Sequence, residues 1–311
     1  MTTLCDLAAR LPVLIGRLLD REAMLKRGRF REETMTDIVT GSLAAFAGPE
    51  LVIEYPIEAD TGGDLDLRFW HAESGRDLHL RLQAKRLCAR MDGKKPVAIG
   101  NRSYRELLHR PNALAPYQYE TLLAAPAPWL PLYMFYNHQS VADDPYFASV
   151  GPRVHGINLA FAHDIAHQLR RKVLAAKAKP RSVLHHKRLS HLRPYLFGLE
   201  AILCPGRAQP GDGGPADGGP RASVPTPMEV SASLIRRWRA RAGPEFEDDD
   251  RVLRILTQPG ALDPARRPHR RVADGPAIRV DQSLERPVIT FISGRTRDSR
   301  TPRIGDELAP D

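Results

Sequence analysis

Two stretches of alternating polar and apolar residues lie close together in the first third of the chain. Residues 65–70 and 78–83 each alternate with a period of two, which predicts β-strands with one buried face. Between them, residues 73–77 are polar and include a glycine, as is typical of a hairpin turn. The pattern predicts an antiparallel hairpin that brings an acidic residue at the start of one strand close to Lys85 at the end of the other.

Around this hairpin the apolar residues recur with the periods of helices and buried strands. A stripe of five leucines predicts a helix over residues 3–27; its members are Leu4, Leu7, Leu11, Leu14 and Leu18. Further helices are predicted at residues 31–47, 117–124 and 158–175, and further strands at 51–57 and 129–136. Strands alternating with helices indicate an α/β fold with a mixed central sheet flanked by helices.

The composition changes abruptly after residue 204. Residues 205–228 are rich in glycine and proline, which is typical of a flexible linker. Residues 229–311 are rich in arginine and are predicted to form a mostly disordered tail. Within it we expect a short basic helix at residues 233–241 and small ordered elements at residues 251–256 and 287–292 that pack on the core. Residues 1–204 are therefore predicted to form one α/β domain that begins with the N-terminal helix.

The net charge of the chain indicates which class of binding partner is favoured. The chain has a formal net charge of +9 and an isoelectric point near 9.7, which favours polyanions such as nucleic acid. The sequence contains no apolar run long enough to span a bilayer and no signal-peptide pattern, so we expect a protein of the cytoplasm that does not bind membranes. A homodimer is compatible with the sequence, although the leucine stripe is too short to predict a coiled coil.

Cysteine and histidine give little indication of a soft-metal site. The three cysteines, Cys5, Cys88 and Cys204, are far apart and include no CxxC pair, so we expect neither a disulfide framework nor structural zinc. His163 and His167 stand four residues apart in a predicted helix, but the glutamate of the zinc-protease motif is absent. They are interpreted as ordinary histidines on the helix surface.

Oxygen and ammonium groups offer a better candidate site. A carboxylate, a polar side chain and a lysine that meet at one edge of a sheet can bind a divalent cation and a phosphate. The predicted helix 31–47 adds Glu32 and Glu33 in its first turn, where the helix dipole also favours acidic residues for structural reasons. By helical geometry Glu32 borders the apolar face and Glu33 points away from it, so Glu32 is preferred.

Four short patterns occur in the order helix, strand, strand, strand. They are Glu33-Thr34-Met35-Thr36, Thr61-Gly62-Gly63-Asp64, Gln83-Ala84-Lys85 and the segment from Pro131 to Asn137. With these patterns the chain resembles the PD-(D/E)XK, restriction-endonuclease-like nuclease superfamily, in its variant with glutamine before the lysine. It is more closely similar to an uncharacterised bacterial branch of that superfamily. The resemblance covers residues 30–175 and does not extend to the linker or the tail.

The resemblance implies a set of site residues. By its motifs the catalytic residues are Asp64, Gln83 and Lys85 with Glu32 or Glu33, and Asp66 is an alternative to Asp64. The same carboxylates and Gln83 would bind Mg²⁺, or Mn²⁺ in its place, and Gln118 would support them. Glutamine in place of glutamate removes one negative charge, which argues against a second metal ion.

The implied function is hydrolysis of phosphodiester bonds, in DNA rather than RNA, in bacterial restriction or anti-phage defence. Two alternatives remain open at this point. The chain could be an inactive nuclease fold that binds nucleic acid or another protein. The polar residues could also be structural only, with Asp64 capping a turn and Gln83 and Lys85 lying at the edge of a sheet.

Overall fold

The fold is built around one mixed β-sheet. The structure, a computed structural model, describes residues 3–23, 30–46, 50–56, 64–88, 91–92, 95–96, 98–110, 112–149, 151–178, 185–206, 224–241, 249–258, 260–261, 277–281 and 284–294. Within these ranges nine strands form a single sheet and two short strands form a separate ribbon. The predicted α/β class with a mixed sheet and flanking helices is confirmed.

The helices and strands have the following bounds. The helices are α1 Leu4–Ala23, α2 Glu32–Phe46, α3 Gln118–Leu123, α4 Gln139–Ala142, α5 Pro145–Ser149, α6 Ala162–Ala178, α7 Leu189–Leu192, α8 Glu200–Leu203, α9 Pro227–Ala240 and α10 Asp249–Thr257. The strands are β1 Leu51–Tyr55, β2 Leu65–His71, β3 Arg76–Arg86, β4 Met91–Asp92, β5 Lys95–Pro96, β6 Trp129–Tyr136, β7 Ile157–Phe161, β8 Phe197–Gly198, β9 Gly260–Ala261, β10 Ala277–Val280 and β11 Val288–Ser293.

The strand order of the sheet is β10-β1-β11-β2-β3-β6-β7-β8, with β9 paired to the start of β3. Three neighbouring pairs are parallel, namely β10 with β1, β11 with β2 and β3 with β6. The other pairs along the order are antiparallel. Strand β3 is therefore central, between its hairpin partner β2 and the parallel strand β6.

The predicted hairpin forms as β2 and β3. Leu65 pairs with Leu82 and Phe69 with Leu78, so the alternating leucines of both strands face one side. Gly75 turns the chain with a φ of 67°, a left-handed conformation that glycine adopts without steric cost. The local pattern and its turn thus define the register, and they place Asp64 and Lys85 at the same end of the hairpin.

One face of the sheet packs against α1, α2 and α9. The leucines of β2 and β3 lie in a single apolar cluster with residues of these helices. On α1 the buried stripe is Leu7, Leu11, Ile15 and Leu19, with a spacing of four. The predicted stripe was wrong in part, because Leu14 is exposed while Ile15 and Leu19 are buried. The opposite face, at β6 and β7, is covered by α3 and α6 in a second apolar cluster.

The predicted helix over residues 158–175 was wrong at its start. Residues 157–161 form the strand β7, buried throughout and antiparallel to β6, and α6 begins only at Ala162. His163, interpreted as a surface residue, is buried and packs edge-on against Trp238 of α9. The strand was missed because an apolar run without alternation has the same appearance in a strand and in a buried helix.

The short ordered elements that the sequence predicts within the C-terminal segment are present among its described residues. Helices α9 and α10 place Val230, Leu234, Val252 and Leu256 in the main apolar cluster. Strand β11 inserts between β1 and β2, and Phe291 stacks on Phe69 with ring centroids 4.8 Å apart. The C-terminal segment therefore contributes to the centre of the sheet. The predicted linker lies largely outside the described residues.

The expectation of no disulfide was wrong as well. Cys5 of α1 and Cys204, which follows α8, form a disulfide, whereas Cys88 is a free thiol. The bond joins the N-terminal helix to the last helix before residues 207–223. Disulfides are rare in reducing compartments, so the cysteines no longer support a cytoplasmic location.

Among the described residues, none of the helices has both the length and the apolar character needed to cross a bilayer.

Candidate functional site

The candidate site lies where β2 begins and β3 ends. Asp66 is paired with Arg81, so Asp64, two residues earlier, comes opposite Gln83, two residues later along the antiparallel strand. Side chains two apart on a strand point to the same face. The hairpin therefore places Asp64, Gln83 and Lys85 on one face of the sheet, away from the leucines.

Lys85 is buried, with only 3 % of its surface exposed. Its Nζ donates a hydrogen bond of 2.8 Å to Oε1 of Gln118, at the first residue of α3. The same Nζ lies 3.6 Å from Oε2 of Glu32. A buried ammonium needs such partners, because burial without them would be costly. Gln118 was predicted as a supporting polar group, and the structure places it in contact with Lys85.

The structure brings Glu32, and not Glu33, to the site. Glu32 is the first residue of α2, and its Oε1 accepts a 3.0 Å hydrogen bond from the backbone N–H of Arg86. This contact joins the start of α2 to the end of β3. Glu33 is exposed and lies near Asp37, whose pKa is raised by partial burial and also by the Glu33 carboxylate. The direction of α2 therefore places Glu32, and not Glu33, next to Lys85.

Asp64 is an acidic residue of the site whose pKa is raised by its surroundings. Burial raises its pKa to about 6, while Arg286 and Lys85 act in the opposite direction and Asp66 and Glu32 add to the rise. Its Oδ2 lies 3.5 Å from Nη1 of Arg286, just before β11. Lys85, Arg286 and Glu32 are therefore close enough to Asp64 to change its pKa electrostatically.

Asp66, the predicted alternative to Asp64, has a different role. Arg81 donates to both of its oxygens, with Nε–Oδ1 3.0 Å and Nη2–Oδ2 2.8 Å. Such a bidentate pair occupies the carboxylate. Asp66 and Arg81 thus form a structural ion pair beside the site. Asp64 is the aspartate that remains available in the site.

Several buried oxygens at the site have no hydrogen-bond partner within the part of the chain that the structure describes. They are Oδ1 of Asp64, Oε1 of Gln83 and the hydroxyl of Tyr133. Gln83 and Tyr133 are paired in the register of β3 with β6, and the pKa of Tyr133 is raised by burial and also by the Asp64 carboxylate. Buried polar atoms in folded proteins almost always have partners, so these three oxygens need a partner that the described residues do not supply.

The donor set suits a hard divalent cation. Asp64 and Gln83 each offer an unpaired oxygen, and Mg²⁺ commonly takes one or two protein carboxylates and fills its other positions with water and substrate oxygens. Clusters of three or more histidine, cysteine, aspartate or glutamate side chains suited to a metal do not occur in the described part of the chain. The site therefore fits a cation that relies partly on water and substrate, and it does not fit a fully protein-coordinated structural metal.

Three residues of the motif patterns have structural roles instead. The hydroxyls of Thr36 in α2 and Tyr136 in β6 are 2.9 Å apart and hydrogen-bonded in the core. Asn137 donates to the carbonyl of His155 at 2.9 Å and to Oδ1 of Asn158 at 3.1 Å. These contacts hold α2 and β7 against β6. The patterns thus combine site residues with residues that position the helix carrying Glu32.

We expect Asp64→Asn to stabilise the folded protein at neutral pH. The folded pKa of about 6 lies above the value of 3.8 for a free aspartate, so the folded state favours the protonated form. The stabilisation from protonation is complete below pH 3.8 and is lost as the pH rises through 6. At pH 7.5 the charged carboxylate thus costs up to about 3 kcal/mol, which asparagine avoids. Urea denaturation in EDTA at pH 7.5 and pH 4 measures the free energy of unfolding.

Asp66→Asn serves as the matched control for this measurement. Burial also raises the pKa of Asp66, but Asp66→Asn breaks the bidentate pair with Arg81, so we expect it to be less stable at pH 7.5 than Asp64→Asn. An Asp64→Asn variant less stable than the wild type at pH 7.5 would show that the charged carboxylate is well solvated or well paired.

Sequence reasoning missed Arg286 and Tyr133 as site residues. Arg286 lies in the segment predicted to be disordered, and only its position before the apolar run 287–292 could have suggested a place beside a strand. Tyr133 lies in the pattern from Pro131 to Asn137, where it reads as one more buried aromatic residue. Its pairing with Gln83 follows from the parallel register of β3 and β6, which the sequence does not specify.

Comparison with known proteins identifies the family of this chain but does not identify its function. No curated protein and no solved structure matches the chain. The profile of a protein family, described as a family of unknown function (DUF6615), matches residues 4–299. The resemblance to the PD-(D/E)XK nucleases is not shown by these comparisons and stays a prediction. Because the match spans nearly the whole chain, from α1 through β11, the protein belongs to the family DUF6615.

Proposed function

We propose that the protein is a divalent-cation-dependent nuclease that hydrolyses phosphodiester bonds in DNA rather than RNA. The observation that carries the proposal is the pair of unpaired, buried oxygens of Asp64 and Gln83, on the sheet face that also carries Lys85. Acidic and amide oxygens next to a buried lysine suit a cation and a phosphate at the same place. The net charge of +9 supports a polyanionic substrate.

Each side chain of the site has a role in this proposal. Asp64 and Gln83 would hold Mg²⁺, or Mn²⁺ in its place, which supplies a more acidic bound water and neutralises charge on the phosphate. Lys85 donates from Nζ to the oxygen on which negative charge develops. Gln118 and Glu32 hold that ammonium in place, since they are its two partners at 2.8 Å and 3.6 Å.

The biological setting follows from the resemblance alone. A nuclease of this type acts in bacterial restriction or anti-phage defence, and a cytoplasmic location goes with DNA as the substrate. A homodimer would allow both strands of a duplex to be cut. These points belong to the proposal together with the reaction.

A cleavage assay tests the reaction. The full chain is incubated with plasmid DNA, linear duplex DNA and single-stranded RNA, each with Mg²⁺, with Mn²⁺ and with EDTA. We expect cleavage of DNA with either cation and none in EDTA, because the reaction needs the cation at Asp64. Asp64→Asn should cut no DNA although it folds, and the exposed Glu33→Gln should cut like the wild type. Cleavage by Asp64→Asn at the wild-type rate would refute the site.

A binding module without cleavage is the second candidate, and one observation favours it. The two carboxylates, Asp64 and Glu32, each lie within ion-pair distance of a resident cation, Arg286 and Lys85. A site balanced in this way is less attractive to a divalent cation than one with excess negative charge. DNA binding without cleavage in any of the tested cations would support this second candidate.

A further inference from the structure

Arg286 is the second cation of the site, and it comes from the C-terminal segment. The backbone carbonyl of Pro287 accepts a 3.0 Å hydrogen bond from the N–H of Asp66, and Val288 then pairs with Asp66 as β11 runs parallel to β2. This pairing fixes Arg286 at the start of β2, beside Asp64. The position of its guanidinium is therefore set by the sheet itself.

The guanidinium uses little of its hydrogen-bonding capacity within the protein. Nη1 lies 3.5 Å from Oδ2 of Asp64, and Nε lies 4.0 Å from Oδ2 of Asp66, which is too long for a hydrogen bond. Nη2 lies 3.9 Å from Oε2 of the exposed Glu285, which is also too long for a hydrogen bond, and Nε is buried with no hydrogen-bond partner among the described residues. Asp66 needs no second cation, since Arg81 already occupies both of its oxygens. Neutralisation of Asp66 therefore does not explain why an arginine is placed here.

The chemistry of the side chain points to an anion. Arginine presents five N–H donors in a planar fork that matches the oxygens of a phosphate, and it stays charged at every physiological pH. The side chain is 15 % exposed, so a phosphate can reach it from solvent. On β3, which is separated from β11 by β2, Lys85 supplies a second positive charge, and both cations act on Asp64.

We propose that Arg286 binds the phosphate of the substrate, so that strand β11 completes the site formed by Asp64, Gln83 and Lys85. This inference rests on the proposed function for the identity of the substrate, and it adds a binding residue from the C-terminal segment. Oδ1 of Asp64 stays available to a cation, because Arg286 contacts the other oxygen. The guanidinium then turns its unpaired donors to a phosphate oxygen beside that cation.

The test measures DNA binding apart from cleavage. Fluorescence anisotropy follows a fluorescein-labelled DNA duplex in Ca²⁺, which replaces Mg²⁺ in the assay. We expect Arg286→Ala to weaken binding by about tenfold or more, because a hydrogen bond to a charged group contributes about 1.5–3 kcal/mol. Arg286→Lys should restore part of the affinity. Arg254→Ala, on the exposed side of α10 in the same C-terminal segment, is the matched control and should bind like the wild type.

A second readout separates phosphate binding from a structural role. Titration with Mn²⁺ alone, followed by electron paramagnetic resonance, should show that Arg286→Ala binds the cation no more weakly than the wild type. If the substitution weakens Mn²⁺ binding and DNA binding together and lowers the melting temperature, Arg286 is structural and the inference is wrong. Arg286→Ala with wild-type DNA affinity also overturns it.

Cleavage results keep this inference distinct from the proposed function. If the wild type binds DNA in an Arg286-dependent manner but cuts it with no cation, phosphate binding by Arg286 stands and hydrolysis fails. If the wild type cuts DNA and Arg286→Ala matches it in binding and rate, hydrolysis stands and this inference fails. If the wild type does not bind DNA, both are overturned.

Discussion

Replacing Lys85 with methionine should lower the rate of DNA cleavage by about 10²–10³-fold while DNA remains bound in Ca²⁺. Methionine has a similar length and no charge, so the substitution removes the ammonium that faces the developing oxyanion and keeps most of the packing. The residue is 3 % exposed, and within the described residues Gln118 and Glu32 are the polar partners of its ammonium. Single-turnover cleavage of a labelled duplex in Mg²⁺ measures the chemical step.

Controls for this variant separate chemistry from folding. Circular dichroism and thermal melting show whether the loss of the Lys85–Glu32 pair alters the fold. Gln118→Leu removes the 2.8 Å hydrogen bond to Nζ but keeps the ammonium, so its rate should fall between those of the wild type and Lys85→Met. A folded Lys85→Met protein that cuts at the wild-type rate would exclude Lys85 from the reaction.

Phe291→Ala should lower the free energy of unfolding by about 3–5 kcal/mol. The ring is fully buried in β11 and stacks on Phe69 of β2 with the two planes 8° apart, so alanine leaves a cavity in the centre of the sheet. A disordered tail would tolerate the change without effect. Denaturation in urea, followed by tryptophan fluorescence, measures the difference.

Ile278→Ala is the matched control from the same C-terminal segment. Ile278 lies on β10 at the edge of the sheet and is 61 % exposed, so its truncation should change the free energy of unfolding by less than about 1 kcal/mol. Equal effects of the two substitutions would contradict the placement of β11 between β1 and β2.

The sequence predicts those parts of the fold that depend on neighbouring residues. The β2–β3 hairpin follows from alternation and a glycine turn, and helix α2 follows from its apolar period. Strand β7 escaped prediction because a fully buried strand has no alternation to reveal it. The position of β11 next to β2 was not predicted, because this pairing joins segments from opposite ends of the chain. A local pattern does not specify which strands will be neighbours in a sheet.

The residues of the candidate site also differ in whether the local sequence predicts their position. Asp64, Gln83 and Lys85 could be placed together from the hairpin alone, and helix geometry favoured Glu32 over Glu33. The contact of Lys85 with Gln118 was anticipated only through the nuclease resemblance. Arg286 and the Cys5–Cys204 disulfide depend on where distant segments meet in space, so neither could be derived. Cysteine spacing alone does not define connectivity.

The position of β11 also has a consequence for how the protein is made. Strands β1 and β2 leave the ribosome early, yet the strand that lies between them, residues 288–293, is synthesised more than two hundred residues later. A sheet that contains a strand so distant in sequence folds slowly. The entropy cost of closing the long loop comes before the stabilising contacts of that strand can form. Under the proposed function, a nascent or truncated chain would lack Arg286 and the central strand. The potential to cut DNA would therefore arise only after the C-terminal strand has been made and has entered the sheet.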